Sequence, residues 1–210
     1  GLNRPYLGEQ VFSREERLAR LNEIVYAAIV PAVRAKVESG EGALWAIDAI
    51  NPLDRCFSEA RAAGVTTVLT GPGSANPISG QFAAIKTDGR WVDAMVLQAP
   101  VSMKMALGEN PKSVYNERHE TPVTRMATAA ILRENLQKAL EYDEKLTLAQ
   151  EDEDADKPDF DAKLEALCPV VRGELPVHIH AHRADDIATG IRISKEFGLK
   201  CVIVHGTEGH

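Results

Sequence analysis

The clearest structural pattern of the sequence lies in residues 175–210, LPVHIHAHRADDIATGIRISKEFGLKCVIVHGTEGH. Its pattern predicts one β–α–β unit, with a strand over 176–181, an amphipathic helix over 183–197 and a second strand over 201–205. Gly198 follows the helix, where a glycine commonly ends one. Two strands joined by a helix are typical of a parallel α/β sheet.

Histidines are concentrated in this unit, because five of the chain's six fall in its last 33 residues. Side chains alternate along a strand, so His178, His180 and His182 share one face, and His205 ends the second strand. If the strands are parallel neighbours, His180 and His205 lie at or near their C-terminal ends, where α/β proteins place ligands and metals. Imidazole commonly binds Zn²⁺ and similar ions. Surface or hydrogen-bonded core histidines are the alternative, but this clustering at strand ends favours a metal site.

The composition is that of an ordinary globular chain: 210 residues, 44% hydrophobic and 26% charged, enough to bury a sizeable core. The net charge of −7 and the lack of a long basic run argue against nucleic acid as a partner. No apolar run reaches the roughly 18–20 residues of a membrane span, and no signal peptide opens the sequence, so we expect no membrane partner. Three widely spaced cysteines without a CxxC pair indicate reduced thiols and a cytoplasmic protein.

The rest of the sequence predicts two regions. Residues 1–45 form a helical segment that begins near Ser13, and residues 46–210 form a domain in which helices and strands alternate. The elements predicted there are a helical region over 43–63, strands over 65–70, 81–87 and 101–107, a short helix or strand over 91–97, a loop over 108–125, a long helix over 123–150 and a short helix over 162–171. Five strands alternating with helices predict an α/β fold that is part of a (β/α)8 TIM barrel.

Lys104 lies in the middle of the strand over 101–107, within an apolar run. Burial of an ammonium group without a partner is costly, so a lysine here is unusual. Two interpretations stay open: Lys104 forms an ion pair with an acid, or it is a metal-site or catalytic lysine.

Two loops also admit two interpretations each. The loop GPGSANPISG at 71–80 fits the wall of an active-site mouth better than a phosphate cradle, because it lacks the P-loop Lys-Ser/Thr ending and the GxGxxG pattern. The acidic run EDEDADKPDFD at 151–161 fits a solvated break better than a cation site.

Three segments resemble the metal-dependent amidohydrolase superfamily: INPLDRCFSEARAAGVTTVLTGPGSANPISGQFAAIKT, MKMALGENPKSVY and HIHAHRADDIATGIRISKEFGLKCVIVHGTEGH. The resemblance covers about residues 46–210 and is closest to the imidazolonepropionase-like and prolidase-like branch. HAHRADDI and HGTEGH are its most specific parts.

This resemblance implies one or two divalent metals at the C-terminal mouth of a barrel. His180 and His205 match the family's fifth- and sixth-strand ligands, and Lys104 matches the fourth-strand lysine that bridges the metals as a carbamate. His182 and His210 are implied to support the metal or contact substrate, so that with Lys104 they form the predicted catalytic set. The implied cofactor is a divalent metal, with zinc favoured. The implied substrate is a small amide, cyclic amide or dipeptide-like molecule.

The resemblance is also incomplete. No HxH pair of the kind that the family carries on its first strand precedes residue 46, and the sequence ends before the strand that carries the family's acidic ligand. It therefore implies strands two to six of a barrel and a metal-dependent hydrolase of C–N bonds with an incomplete catalytic domain. The alternative is a non-catalytic truncated barrel that binds metal or self-associates. Because unpaired strand edges invite pairing with another chain, we expect a homo-oligomer, and little or no hydrolase activity from this chain alone.

Overall fold

A computed structural model describes residues 44–152 and 154–210, so the helix predicted near Ser13 lies outside the described residues. Gly42–His210 is one compact unit. Its helices are a 3-10 turn at Ala46–Ala49, α1 (Arg55–Ala62), α2 (Val92–Met95), α3 (Glu109–Glu117), α4 (Arg125–Glu151), α5 (Ala162–Val171) and α6 (Ala184–Glu196). Its strands are β1 (Thr67–Thr70), β2 (Ile78–Lys86), β3 (Val96–Ala106), β4 (Val177–Ala181) and β5 (Cys201–His205).

Within these residues the strands form one sheet in the order β1–β2–β3–β4–β5. β3, β4 and β5 run parallel, whereas β2 is antiparallel to both β1 and β3. The sheet curls like half of a barrel, which confirms the predicted α/β fold and is consistent with a partial barrel. The loop predicted at 71–80 does separate β1 from β2, but the two strands are antiparallel and not the parallel neighbours of a barrel. Only residues 71–77 join them, and a parallel crossover needs a dozen or more residues. Membership of an eight-stranded barrel stays a prediction.

The two faces of the sheet differ in what covers them. Met103, Met105, Val177 and Ile179 lie on one face, are at most 2% exposed and pack against side chains of α4, α5 and α6. In β3 and β4 the intervening residues lie on the opposite face, where Lys104 is paired with His178 and Ala106 with His180. We call this opposite face the histidine face. Because side chains alternate along these strands, the apolar residues pack against the helices on one face, and Lys104, His178 and His180 lie on the other.

Residues 108–125 contain helix α3, so the loop predicted there was wrong. Gly108 precedes the helix with φ +82°, a conformation that glycine adopts without Cβ strain. Pro111 lies in the first turn, where backbone N–H groups lack intrahelical acceptors and a proline is tolerated. The Asn110-Pro111 pair therefore fits a helix start as well as the turn that it usually marks.

α4 is the longest helix that the structure describes, at 27 residues. Neither it nor any other helix of residues 44–152 and 154–210 combines the length and the apolar character needed to cross a membrane.

Candidate metal centre

Three imidazole rings meet where β4 and β5 end. His180 lies in β4, His182 follows that strand directly, and His205 is the last residue of β5. The ring centroid of His180 lies 4.8 Å from that of His182 and 4.7 Å from that of His205. The rings of His182 and His205 stack with their centroids 4.7 Å apart. One nitrogen from each ring lies within 4.8 Å of the others. We call these three residues the histidine trio.

His205 reaches the trio through an unusual backbone conformation. The register of the parallel pair places His205 beside Ala181, on the face that packs against the helices. Strand alternation alone would therefore separate its ring from that of His180. His205 instead has φ +75°, in the left-handed region that non-glycine residues rarely adopt, and its ring lies against His180. The backbone strain at the end of β5 accompanies the turn of this side chain towards the site.

His180 has a buried ring nitrogen that is free to bind a metal ion. The residue is 3% exposed, and its Nδ1 is buried with no hydrogen-bond partner. Burial, followed by the nearby positive charges that His205, Lys104 and His182 can carry, lowers the pKa of His180 to about 4. The ring is therefore neutral at pH 7. Buried polar atoms in folded proteins are nearly always paired, so a neutral imidazole nitrogen without a partner fits a metal ligand.

The strand ends are tied together by the residues that follow β5. The backbone N–H of Gly206 donates to the carbonyl of Ala181 (3.0 Å), and that of Glu208 donates to the carbonyl of His182 (2.9 Å). The Glu208 carboxylate also accepts a hydrogen bond from the N–H of Ala184 at the start of α6 (2.9 Å). These bonds fix the turn after β5 against the turn after β4, and with it the relative position of His182 and His205.

Thr207 in the same turn contacts the trio directly. Its Oγ1 lies 2.8 Å from Nδ1 of His182. If the ring donates its Nδ1–H to that oxygen, Nε2 keeps its lone pair, the arrangement usual for metal-binding histidines. Thr207 was not among the residues predicted from the sequence, although the HGT triplet after a predicted strand was a signal for it.

Lys104 lies on the histidine face, two residues before Ala106, which is the register partner of His180. It is 3% exposed, its Nζ lies 5.8 Å from the centroid of the Phe82 ring, and it pairs across the strands with His178. No carboxylate in the described part of the chain forms an ion pair with it, and the two interpretations of Lys104 stay predictions. Burial lowers the pKa of the Lys104 amine, and its charge helps to lower the pKa of His180, which places the two groups near each other.

The other predicted histidine does not join this group. His210 is exposed and lies outside the histidine trio, the cluster of side chains among the described residues that could hold a metal ion. His178 lies on the histidine face, where its Nδ1 is 3.2 Å from Oγ of Ser102. Burial and the charge of Lys104 lower its pKa.

The trio fits a divalent ion in both chemistry and spacing. Its donors are imidazole nitrogens, which suit zinc and similar metals. With N–metal bonds of about 2.0–2.1 Å, the centroids of imidazoles on one ion lie roughly 4.5–5.2 Å apart, and the observed centroid distances of 4.7–4.8 Å fall in that range. The nitrogens lie within 4.8 Å of one another, and the stacked rings of His182 and His205 must rotate before they reach the roughly 3.3 Å separation that such an ion imposes.

A partly buried ion-pair network supports the neighbouring turn after β3. Nε of Arg125 donates to both carboxylate oxygens of Asp186 at 3.0 and 3.3 Å, and the same guanidinium pairs with Glu109 at 3.0 Å. A Cβ at Gly108 would lie 2.6 Å from the Asp186 carboxylate. The turn, the first turn of α4 and the first turn of α6 are thus held together beside the ends of β3 and β4.

Comparison with known proteins places this geometry in context. The chain is 34% identical over 178 residues to amidohydrolase tasK of Hapsidospora irregularis, a match that covers 73% of this chain and 18% of that protein. Its fold matches the crystal structure of an amidohydrolase from Thermotoga maritima MSB8 with a TM-score of 0.75 and 46% identity, over 78% of this chain and 42% of that one. No family model matches the chain. Two relatives named amidohydrolase support a relationship to an amidohydrolase family, and the chain spans less than half of either relative.

Proposed function

We propose that this chain provides metal-binding and catalytic residues of a hydrolase that acts on C–N bonds of small amides, cyclic amides or dipeptide-like molecules. The unpartnered, buried Nδ1 of His180 within the trio, in a chain similar to two amidohydrolases, is the observation that carries the proposal. The imidazolonepropionase-like or prolidase-like branch and the eight-stranded barrel are part of it, on the sequence resemblance alone.

The residues divide the work as follows. His180 and His205 hold a divalent cation, for which zinc is the first choice on donor type. When bound, that cation supplies Lewis acidity, which polarises a carbonyl oxygen and lowers the pKa of a water. The hydrogen bonds around Gly206 and Glu208 keep the backbone of the two turns that carry His182 and His205 at a fixed spacing.

Lys104 is suited to form a carbamate. Its lowered pKa increases the fraction of neutral amine, whose nitrogen can attack the carbon of CO₂ and release a proton to solvent. The product adds two oxygen donors on the histidine face near His180. His182 and His210 are the other predicted catalytic residues; His182 lies at the trio, and His210 is exposed away from it.

The location of the protein is a further part of the proposal. Cys56, Cys168 and Cys201 all carry free thiols, and burial raises the pKa of Cys168 to about 12. Free thiols support a reducing, cytoplasmic compartment.

A second candidate is a non-catalytic protein that binds metal or associates with another copy of itself. The observation that favours it is the outer edge of β5, which has no partner strand among the described residues and carries Val202 at 49% exposure. Such an edge can pair with another chain.

Turnover separates the two candidates. The purified protein is incubated with Zn²⁺ or Mn²⁺ and a panel of cyclic amides and dipeptides, and compared with His180→Asn and with His119→Asn, which removes an exposed histidine outside the trio. The hydrolase predicts metal-dependent turnover that His180→Asn abolishes and His119→Asn retains. No carboxylate joins the trio among the described residues, so we expect turnover well below the roughly 1 s⁻¹ of ordinary enzymes. Turnover that survives both His180→Asn and a chelator contradicts the proposal, and stoichiometric metal binding without any turnover supports the second candidate.

A further inference from the structure

We propose that His182 is a direct, third imidazole ligand of the metal and that Thr207 positions it. The inference rests on the proposed function, which needs a cation at His180 and His205, and goes beyond it by giving this chain a three-histidine site.

The first argument is the geometry of the ring. His182 lies as close to each of its neighbours as they lie to each other, with centroid distances of 4.8, 4.7 and 4.7 Å around the trio. A side chain that only contacts substrate has no reason to complete this triangle. Two imidazoles hold zinc poorly, whereas three protein ligands with one open position are the usual set in a catalytic zinc site.

The second argument is the hydrogen bond to Thr207. It engages Nδ1 of His182 and leaves Nε2 without a partner in the described part of the structure. Metal-binding histidines almost always donate their second ring N–H to an oxygen in this way, because the bond fixes both the tautomer and the ring orientation. Thr207 lies in the turn that is bonded to the end of β4, so its hydroxyl is held in place by the backbone.

The third argument is the strained backbone of His205. Its left-handed conformation accompanies a ring that stacks on His182 with an interplanar angle of 12°. The strained backbone keeps the two rings in contact, and joint binding of one cation gives that conformation a function.

Metal binding by the whole chain tests the inference without an activity assay. Zn²⁺ affinity is measured by competition with a chromophoric chelator, and ligand geometry by the visible absorption of bound Co²⁺. We expect His182→Ala to weaken Zn²⁺ binding by more than about 100-fold and to change the Co²⁺ spectrum. Thr207→Val keeps the size of the side chain but removes the acceptor, so we expect a loss of about 10–100-fold, which Thr207→Ser restores.

Long-range ¹H–¹⁵N NMR of the wild-type imidazoles provides a readout that does not depend on any variant folding. We expect Zn²⁺ to shift Nε2 of His182, while His119 stays unchanged.

Two other outcomes separate this inference from the proposed function. If Zn²⁺ shifts the rings of His180 and His205 but not that of His182, and His182→Ala binds as tightly as wild type, the third ligand is refuted and the proposed function stands. If the wild-type chain binds neither Zn²⁺ nor Co²⁺ at millimolar concentration, both are refuted.

Discussion

Replacement of His205 by glycine should stabilise the fold relative to replacement by alanine, although both remove the imidazole. At φ +75° an L-residue with a Cβ bears about 1–2 kcal/mol of backbone strain, which glycine escapes. Glycine in turn loses about 0.4–1 kcal/mol more conformational free energy on folding. The difference leaves His205→Gly more stable than His205→Ala by roughly 0.5–1 kcal/mol.

Urea unfolding of the metal-free chain, in the presence of a chelator, measures this difference. Gln137 in the exposed middle of α4 provides the matched control, because there the order should reverse and Gln137→Gly should be about 1 kcal/mol less stable than Gln137→Ala. The reasoning is refuted if His205→Gly is also the less stable member of its pair, since the left-handed backbone would then impose no cost. Both His205 variants should lose metal binding to the same extent, because neither carries the imidazole.

Three more predictions use other parts of the structure. Gly108→Ala should destabilise the fold by about 2–3 kcal/mol in urea unfolding, because it adds a Cβ at φ +82° against the Asp186 carboxylate. The control Gly173→Ala, at φ +71° with nothing within 4 Å of the added Cβ, should cost only about 1 kcal/mol. Equal losses in the two variants would show that the contact with Asp186 is unimportant. Lys104→Met should raise the free energy of unfolding at pH 7 by about 1 kcal/mol, because it replaces a buried amine of lowered pKa with an apolar chain. The same change should weaken any metal-dependent turnover. A loss of stability would instead indicate that the amine has a partner. The pKa of His180 is lowered from 6.5 to about 4, so between these pH values the unfolded chain binds a proton that the folded chain does not. The metal-free fold should therefore keep its full stability above pH 6.5 and lose up to about 3 kcal/mol as the pH falls to 4. The loss should be smaller in His180→Asn.

The β–α–β unit could be predicted from sequence because each of its signals is local. The strand Cys201–His205 is as predicted, and helix α6 lies within one residue of its predicted bounds at each end. Gly198 adopts φ +64° directly after the helix, as expected of a terminal glycine. Alternation along β4 also separated His178 and His180 from Val177 and Ile179 correctly, because a buried face fixes the register of a strand.

The candidate site could be predicted only in part. The sequence identifies His180 and Lys104 by strand position, but strand alternation does not place His205 beside them. The ring of His205 contacts His180 because the backbone of His205 has a positive φ, which no local sequence pattern predicts. The bond from His182 to Thr207 depends on the turn after β5 folding back onto the turn after β4, a tertiary contact between segments 25 residues apart. The antiparallel start of the sheet was likewise missed, since single strand patterns do not specify the direction of pairing.

The three parallel strands are linked by connections of very different length, a long one between β3 and β4 and a short one between β4 and β5. This difference affects where the chain can take up insertions. The histidine trio lies entirely within one β–α–β unit, whereas Lys104 reaches the same face from β3, on the other side of residues 107–176 and the helices α3, α4 and α5. Insertions on the surface of that long crossover leave the spacing of the imidazoles untouched, because surface loops tolerate added length at little cost in free energy. An insertion within β4 or β5 instead shifts the register of that strand pair. The spacing of the three imidazoles is therefore set within one short unit, whereas the position of Lys104 relative to them depends on how the long crossover packs.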